Sequence, residues 1–219
     1  MSDLAVRPSA VDPPEVAEIL WRGFGGDTGW DIGANCGQSL FYLTRACSRV
    51  LAFEPAAESC AYLTGQFGHL PGLQVYQLAV SDHDGTLQLA AIPQLMETGQ
   101  LVTPGTSGME WDPGDWDAVP VRTVPASTAD ALAGRLGVPD FAKVDTEGHE
   151  GHVLRGAAGL LRRGTTSWLI EFHSPELHET CLELLRDAGY DPETIRHPHY
   201  PPGGAMWRQH GWIRAPAPR

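Results

Sequence analysis

The fold of this 219-residue chain is decided by the stretch Trp30-Asp31-Ile32-Gly33-Ala34-Asn35-Cys36-Gly37-Gln38-Ser39. An apolar strand pattern ends there in a glycine-containing turn, and the run from Leu40 to Ala46 that follows has helical character. Because Gly33 and Gly37 have no Cβ, backbone N–H groups at the turn and at the helix start can approach a polar ligand closely. The stretch therefore predicts a strand–turn–helix unit that binds a nucleotide-type ligand.

Four further β-rich runs alternate with helical stretches, which is the pattern of βαβ units and of a mostly parallel sheet. These runs are Arg49 to Phe53, Leu73 to Val80, Phe141 to Val144 and Trp168 to Phe172. Between the last two, apolar residues from Val153 to Leu161 recur at helical spacing and predict one helix that ends at Gly164. A later helix of the same kind ends at Gly189, which supplies a left-handed C-cap. One α/β domain is expected.

Composition excludes several classes of function. The 27 acidic and 15 basic side chains give a net charge of −12, and a field of this sign repels phosphate backbones, so we expect no nucleic-acid partner. No apolar run approaches the ~20 residues of a membrane-spanning helix. The N-terminus lacks the features of a signal peptide, so we expect a cytoplasmic protein without a membrane partner. The four cysteines include no CxxC pair and predict neither a zinc site nor a disulfide framework. Lys143 is the only lysine.

Two stretches interrupt the alternation and are predicted to be loops. Residues 92–120 are rich in Gly, Pro and Asp, and a loop of more than about 12 residues is usually a functional or mobile segment. Trp111 and Trp116 favour a loop that covers the substrate over a disordered insertion, since disordered segments are poor in aromatic residues. Residues 197–204 contain two histidines but are interpreted as a solvated loop rather than a metal site. Residues 205–216 predict the last strand.

An acidic residue follows the second predicted strand. Glu54 lies 23 residues after Asp31, close to the separation of about 20 residues at which an acidic side chain accepts hydrogen bonds from ribose hydroxyls. This spacing implies adenosine, which is part of both NAD and S-adenosylmethionine. The turn has Asn35 where a dinucleotide site needs its second glycine. S-adenosylmethionine has no phosphate, and its cationic methionine end suits an acidic group such as Asp31. The turn therefore favours S-adenosylmethionine over NAD.

A second motif, KVDTEGHEGHVLRGA at residues 143–157, begins at the carboxyl end of a predicted strand, where ligands of open α/β sheets collect. Together with DIGANCG, FEP, AVSD, VPVRT and LIEFH, in this order, it resembles the FkbM family of S-adenosylmethionine-dependent methyltransferases. The likeness covers roughly residues 27–190, and the DxEGxE block is its distinctive part. The resemblance implies the class I methyltransferase (Rossmann-like) fold, with a seven-stranded, mostly parallel sheet and helices on both faces.

The resemblance also implies methyl transfer to a hydroxyl of a sugar or small natural product, with S-adenosylmethionine as cofactor. It divides the chain into an N-terminal helical extension at 1–26 and a methyltransferase domain at 27–219. Asp31, Gly33 and Gly37 would lie along the methionine moiety, Glu54 on the ribose and Asp82 beside the adenine. The complete set of predicted cofactor-binding residues is Asp31, Gly33, Asn35, Gly37, Glu54, Ser81, Asp82 and Asp145.

The family's sheet order places the strand that ends at Asp145 beside the strand that leads to His173. Period-two spacing puts Glu171 and His173 on one face, so that with Glu147 three carboxylates and one histidine could point into one crevice. Such a cluster forms either a general base with its orienting partners or a divalent metal site. We favour the metal-free site, with His173 as the base that an alcohol acceptor needs and His149 as the second choice.

Two alternatives stay open. An acidic crevice would also suit N-methylation of an amine or amino sugar, because opposite charge raises the encounter rate. A non-catalytic module that binds S-adenosylmethionine would keep the first motif and would be expected to lack the second.

Overall fold

The computed structural model describes residues 22–90, 100–101, 121–196, 200 and 202–218. Most of the predicted N-terminal helical extension lies outside the described residues. The same holds for the predicted substrate-covering loop, except for residues 100–101, and for His197 and His199 of the second predicted loop.

Strands and helices alternate along most of the chain, as the sequence predicts. The strands are β1 (Gly26–Ile32), β2 (Cys47–Phe53), β3 (Leu73–Tyr76), β4 (Ala79–Ser81), β5 (Gly85–Ala90), β6 (Gln100–Leu101), β7 (Val121–Thr128), β8 (Phe141–Val144), β9 (Ser167–Phe172), β10 (Glu193–Arg196) and β11 (Gly211–Ala215). The helices are α1 (Leu40–Ala46), α2 (Ala57–Phe67), α3 (Ala129–Leu136), α4 (Glu150–Gly156), α5 (Ala158–Arg163), α6 (Pro175–Asp187) and α7 (Ala205–Gln209).

The main sheet has seven strands in the order β10-β11-β9-β8-β1-β2-β3. All neighbours in it are parallel except the two ladders that β11 makes with β9 and β10. Helices cover both faces: α3 to α6 pack on the side of Trp30 and Ile32, and α1 and α2 pack on the side of Val50 and Ala52. This arrangement confirms the predicted seven-stranded, mostly parallel α/β fold.

A second sheet of four strands, in the order β4-β7-β5-β6, was not predicted. The apolar run from Leu73 to Val80 is not one strand, because β3 belongs to the main sheet and β4 pairs with β7 in the second. A backbone hydrogen bond from Leu78 N–H to the Glu54 carbonyl holds the chain where it leaves the main sheet for the second one. The second sheet therefore starts directly beside the carboxyl end of β2.

Two other predicted elements differ from the structure. The predicted helix from Val153 to Leu161 is two helices, α4 and α5, which meet at Ala157 in a non-helical conformation. The terminal stretch is not a single strand, since α7 precedes β11. The predicted left-handed conformation of Gly189 is confirmed, with φ of +87°. Gly164, where a helix was predicted to end, is also left-handed, with φ of +65°. Among the described helices none is long and apolar enough to cross a membrane.

Candidate active site

The turn after β1 is held against the ends of two neighbouring strands. The N–H groups of Gly33 and Ala34 both donate to the Phe53 carbonyl, at 2.9 and 3.2 Å. Gly33 has φ of +78°, and a Cβ at this position would lie 1.7 Å from the carbonyl oxygen of Asp145. Glycine is therefore required where the turn after β1 passes the end of β8, and the backbone there is closely fixed.

Glu54 supports this turn from the end of β2. Its side chain is buried, and its two carboxylate oxygens accept hydrogen bonds from Asn35 N–H at 2.9 Å and from Ala56 N–H at 2.8 Å. Burial raises the pKa of Glu54, while the two backbone donors oppose that shift. Asn35 has φ of +48°, in the left-handed region that residues other than glycine seldom adopt. The hydrogen bond from Asn35 explains why the turn keeps this conformation.

Two clefts open at the carboxyl edge of the main sheet and share the residues Gly33, Asn35 and Asp145. The first extends past Glu54 towards β4. The second is bordered by Lys143, Glu171 and Trp212, among other residues. The Oδ1 atoms of Asn35 and Asp145 are buried without a hydrogen-bond partner. The wall between the clefts therefore offers acceptors to a ligand that carries donor groups.

Lys143 lies at the floor of the second cleft. Its Nζ donates to the Gly33 carbonyl at 3.2 Å and to Asp145 Oδ2 at 3.1 Å, and it lies 3.5 Å from Asp31 Oδ1. Burial lowers the pKa of Lys143, but the carboxylates of Asp145, Asp31 and Glu171 outweigh it and hold that pKa above its ordinary value. Lys143 is therefore a cation, and sequence reasoning noted it only as the single lysine.

Asp31 lies next to Lys143 rather than on the surface of a cleft. Its side chain is fully buried and borders neither of the two clefts, whereas the resemblance implied contact with the methionine moiety. Burial raises the pKa of Asp31 to about 6, and the neighbouring charge of Lys143 opposes the shift. Asp31 thus faces the cleft residues only through Lys143.

Asp145, Glu147 and His173 meet where β8 and β9 end. The Nε2 atom of His173 lies 3.7 Å from Asp145 Oδ1 and 3.5 Å from Glu147 Oε2. One oxygen or nitrogen atom of each residue lies within 4.8 Å of the others, which is close enough for the three to share a cation. Burial raises the pKa of Glu147 to about 7, with a further contribution from the negative charge of Asp145.

The charge on His173 differs from the expectation that a neutral imidazole accepts the proton. Burial of the ring lowers the pKa of His173, but the carboxylates of Glu150, Glu147 and Asp145 more than compensate and raise it well above its ordinary value. The three carboxylates therefore favour the protonated form of His173, and the neighbouring side chain with a pKa near neutrality is Glu147.

Glu150 is a positioning residue that sequence reasoning did not single out. It is fully buried, and its Oε1 lies 3.1 Å from His173 Nδ1 while it accepts hydrogen bonds from the N–H groups of Thr146 and Gly148 at 3.1 and 3.0 Å. Burial raises its pKa, but the charge of His173 and these donors outweigh burial and lower it. Glu150 fixes the ring so that Nε2 faces Asp145 and Glu147. The signal in the sequence was its position, three residues after Glu147 in the DxEGxE block.

Glu171 does not join this group. It borders the second cleft, and its Oε2 accepts a hydrogen bond from Trp212 Nε1 at 3.2 Å. The period-two argument does not reach His173, because β9 ends at Phe172 and His173 lies beyond the last residue that sheet pairing fixes. Asp145 is the residue that contacts both sides, through Lys143 towards the second cleft and through His173 towards Glu147.

Three other predicted residues, Ser81, Asp82 and His149, lie together at the end of β4. Ser81 Oγ is 2.9 Å from His149 Nε2, and both side chains are buried. Asp82 pairs with His152 at 2.7 Å and with His83 at 2.8 Å. Burial and the nearby His152 lower the pKa of His149 to about 4. In the described part of the chain, the residues that border the two clefts do not include Ser81, Asp82 or His149.

Gly37 also has a structural role. A Cβ at this position would lie 2.7 Å from the Phe67 ring and 2.9 Å from Leu63, so this glycine allows the turn to pack against α2. Its φ of +87° places it in the left-handed region.

Comparison with known proteins agrees with the geometry. The model of the methyltransferase FkbM domain matches residues 31–192. The chain is 27% identical over 178 residues to the hexuronic acid methyltransferase AglP of Haloferax volcanii, over 78% of this chain and 66% of that protein. The chain thus spans just under two thirds of the length of that relative.

Solved structures share the fold at low sequence identity. A methyltransferase FkbM from Methylobacillus flagellatus KT aligns with a TM-score of 0.58 and 15% identity, over 87% of this chain and 43% of that one. The fibrillarin of Aeropyrum pernix, in complex with natively bound S-adenosyl-L-methionine, aligns with a TM-score of 0.54 and 12% identity, over 92% of this chain and 74% of that one.

Proposed function

The chain belongs to the FkbM methyltransferase family, and from this premise we propose that it transfers a methyl group from S-adenosylmethionine to a hydroxyl of a sugar or small natural product. The observation that carries the proposal is the junction of the two clefts, where Asp145 lies beside Glu147 and His173. A ligand that spans the junction would place its reactive centre next to these groups.

The residues of the clefts fit the cofactor. Glu54 borders the first cleft with a buried carboxylate, which suits the hydroxyls of a ribose. The unpartnered Oδ1 atoms of Asn35 and Asp145 are acceptors, and an adenosine with a cationic amino-acid end carries the matching donors. We therefore assign the adenosine to the first cleft and the amino-acid end to the second. When bound, S-adenosylmethionine supplies an electrophilic methyl group on a sulfonium.

Glu147 is the general base in this proposal. An alcohol is a weak nucleophile until its proton leaves, and a base is most effective when its pKa lies near the working pH. The pKa of Glu147 is about 7. His173, 3.5 Å away and held by Glu150, is a positive partner that favours the ionised carboxylate. The sequence-based choice of His173 as the base is thus replaced by a pair in which His173 positions and stabilises Glu147.

The acceptor is proposed to be a hydroxylated sugar. The relative from Haloferax volcanii is named for a hexuronic acid, a sugar that has hydroxyl groups and a carboxylate but no amine. This supports O-methylation over the N-methylation alternative. We retain the metal-free site, because His173 beside Glu147 and Lys143 beside Asp145 each place a positive charge next to a carboxylate that a cation would otherwise neutralise.

Calorimetry followed by a transfer assay tests the proposal. Wild-type protein should bind S-adenosylmethionine and S-adenosylhomocysteine but not NAD. With a labelled methyl donor, label should appear on oxygen in a panel of hexuronic acids, neutral sugars and amino sugars. A Glu147→Gln variant should bind the cofactor normally and transfer the label far more slowly. Binding of NAD alone, or label found on the nitrogen of an amino sugar, would contradict the proposal.

A further inference from the structure

Lys143 has no part in the proposed reaction, although it is the only lysine of the chain and more than nine-tenths buried. It lies on β8 directly opposite Asp31 of β1 in the sheet register. The neighbours of Lys143 on its own strand, Ala142 and Val144, face the opposite core cluster. Alternation therefore places Lys143 and Asp31 on the same face, under the second cleft.

The Lys143 ammonium makes two hydrogen bonds within the protein. Its Nζ donates to the Gly33 carbonyl at 3.2 Å and to Asp145 Oδ2 at 3.1 Å. Asp31 Oδ1 lies 3.5 Å away as an ion-pair partner without a hydrogen bond. Lys143 therefore joins the turn after β1 to the residue that follows β8.

Several carboxylates lie near Lys143. Asp31 of β1 and Asp145, which follows β8, lie within 3.5 Å of its Nζ, and Glu171 of β9 borders the same cleft. The charge of Lys143 also lowers the pKa of Glu54 and of Glu147. Like charges this close repel one another, and Asp31 is fully buried. The positive charge of Lys143 is what allows Asp31 and Asp145 to stay close together. Removing it would release Asp145 Oδ2 and the Gly33 carbonyl at the same time.

We propose that Lys143 is a positioning residue: together with the buried Asp31, it orients the Gly33 carbonyl and Asp145 so that the second cleft can bind the amino-acid end of the cofactor. This rests on the proposed function, since it needs S-adenosylmethionine as the ligand. Asp31, which the resemblance placed on the methionine moiety, acts on the cofactor through Lys143 rather than by contact.

Binding of ligands with and without the amino-acid end tests the proposal. Lys143→Met should weaken S-adenosylhomocysteine binding by about 10- to 100-fold, the range for losing a hydrogen bond that orients a charged group. It should change the affinity for 5′-methylthioadenosine, which lacks the amino-acid end, by less than about twofold. Equal losses for both ligands would mean that Lys143 only supports the fold, and no loss for either would also overturn the proposal.

A double variant keeps the test informative if the single change destabilises the protein. Asp31→Asn with Lys143→Met removes the buried pair as a whole and leaves no isolated buried charge. If Asp31 acts through Lys143, Asp31→Asn weakens S-adenosylhomocysteine binding in the wild-type background and adds nothing when Lys143 is already replaced. Additive losses would assign Asp31 an independent contact with the ligand and refute the proposal.

A third ligand separates positioning from direct contact. Decarboxylated S-adenosylmethionine keeps the ammonium group and lacks the carboxylate. Lys143→Met should weaken its binding as much as that of S-adenosylmethionine. The reason is that the Gly33 carbonyl and Asp145, which Lys143 orients, contact the ligand, whereas the Lys143 ammonium does not. An unchanged affinity for this analogue would show that Lys143 binds the cofactor carboxylate itself. Failure of the wild-type protein to bind S-adenosylhomocysteine at all would instead refute the proposed function.

Discussion

Replacing Glu54 by alanine should cost both stability and cofactor affinity. The change removes the acceptor of two backbone donors, Asn35 N–H and Ala56 N–H. Each buried donor left without a partner costs about 1–3 kcal/mol. Part of this is offset because the buried carboxylate, whose pKa is raised, no longer has to be kept out of water. We therefore expect a net loss of about 2–4 kcal/mol in the free energy of unfolding.

Urea unfolding measures the loss directly, and calorimetry with S-adenosylhomocysteine measures the effect on the site. Glu58→Ala is the matched control. Glu58 lies four residues after Glu54, in the first turn of α2, and its exposed side chain pairs with Arg122. Its replacement should change stability by less than about 1 kcal/mol. If Glu54→Ala unfolds at the same urea concentration as the Glu58→Ala control, Glu54 does not hold the turn and the reasoning is refuted.

Four further predictions concern the junction of the clefts. Glu147→Gln should lower kcat by about 10²–10⁴-fold. Wild-type kcat should rise with pH and level off above about pH 7, because the ionised form of Glu147 is the base. A flat pH profile would exclude Glu147 as the base. Glu150→Gln should lower the pKa of His173, observable as an earlier loss of the imidazolium signal in an NMR titration; an unchanged titration would contradict the assigned contact. Gly33→Ala should abolish cofactor binding, because its Cβ would overlap the Asp145 carbonyl; normal binding by calorimetry would show that the turn can move. Exhaustive chelation should leave turnover intact, and loss that Mg²⁺ restores would identify a metal site.

The parts of the fold that rest on local patterns could be predicted from sequence. The strand–turn–helix unit at Gly33 was found because a glycine turn between an apolar strand and a helix is a local signal. The second sheet was not found, because β4 and β7 pair across more than forty residues and β4 has only three residues. Strand pairing of this kind depends on contacts distant in sequence, on which periodicity carries no information.

The positions of the site residues could likewise be predicted only in part. The family resemblance could place Asp145 and His173 at adjacent strand ends, through the sheet order that it implies. It could not tell that Glu171 faces the other cleft, because the alternation of side chains is informative only while the backbone stays extended. His173 lies one residue past the end of β9, and its Nδ1 lies 3.1 Å from Glu150 Oε1 rather than beside Glu171.

The charge states at the site depend on partners that only the fold brings together. An isolated histidine titrates near neutrality and is a natural choice of base. At His173 three carboxylates lie beside one buried ring and favour its protonated form. The neighbouring Glu147 is then the side chain with a pKa of about 7. Lys143 has the equivalent effect on the other side, where one cation keeps Asp31 and Asp145 together. Asp145 lies between these two cations, and its orientation therefore couples the cleft assigned to the cofactor to the proposed base.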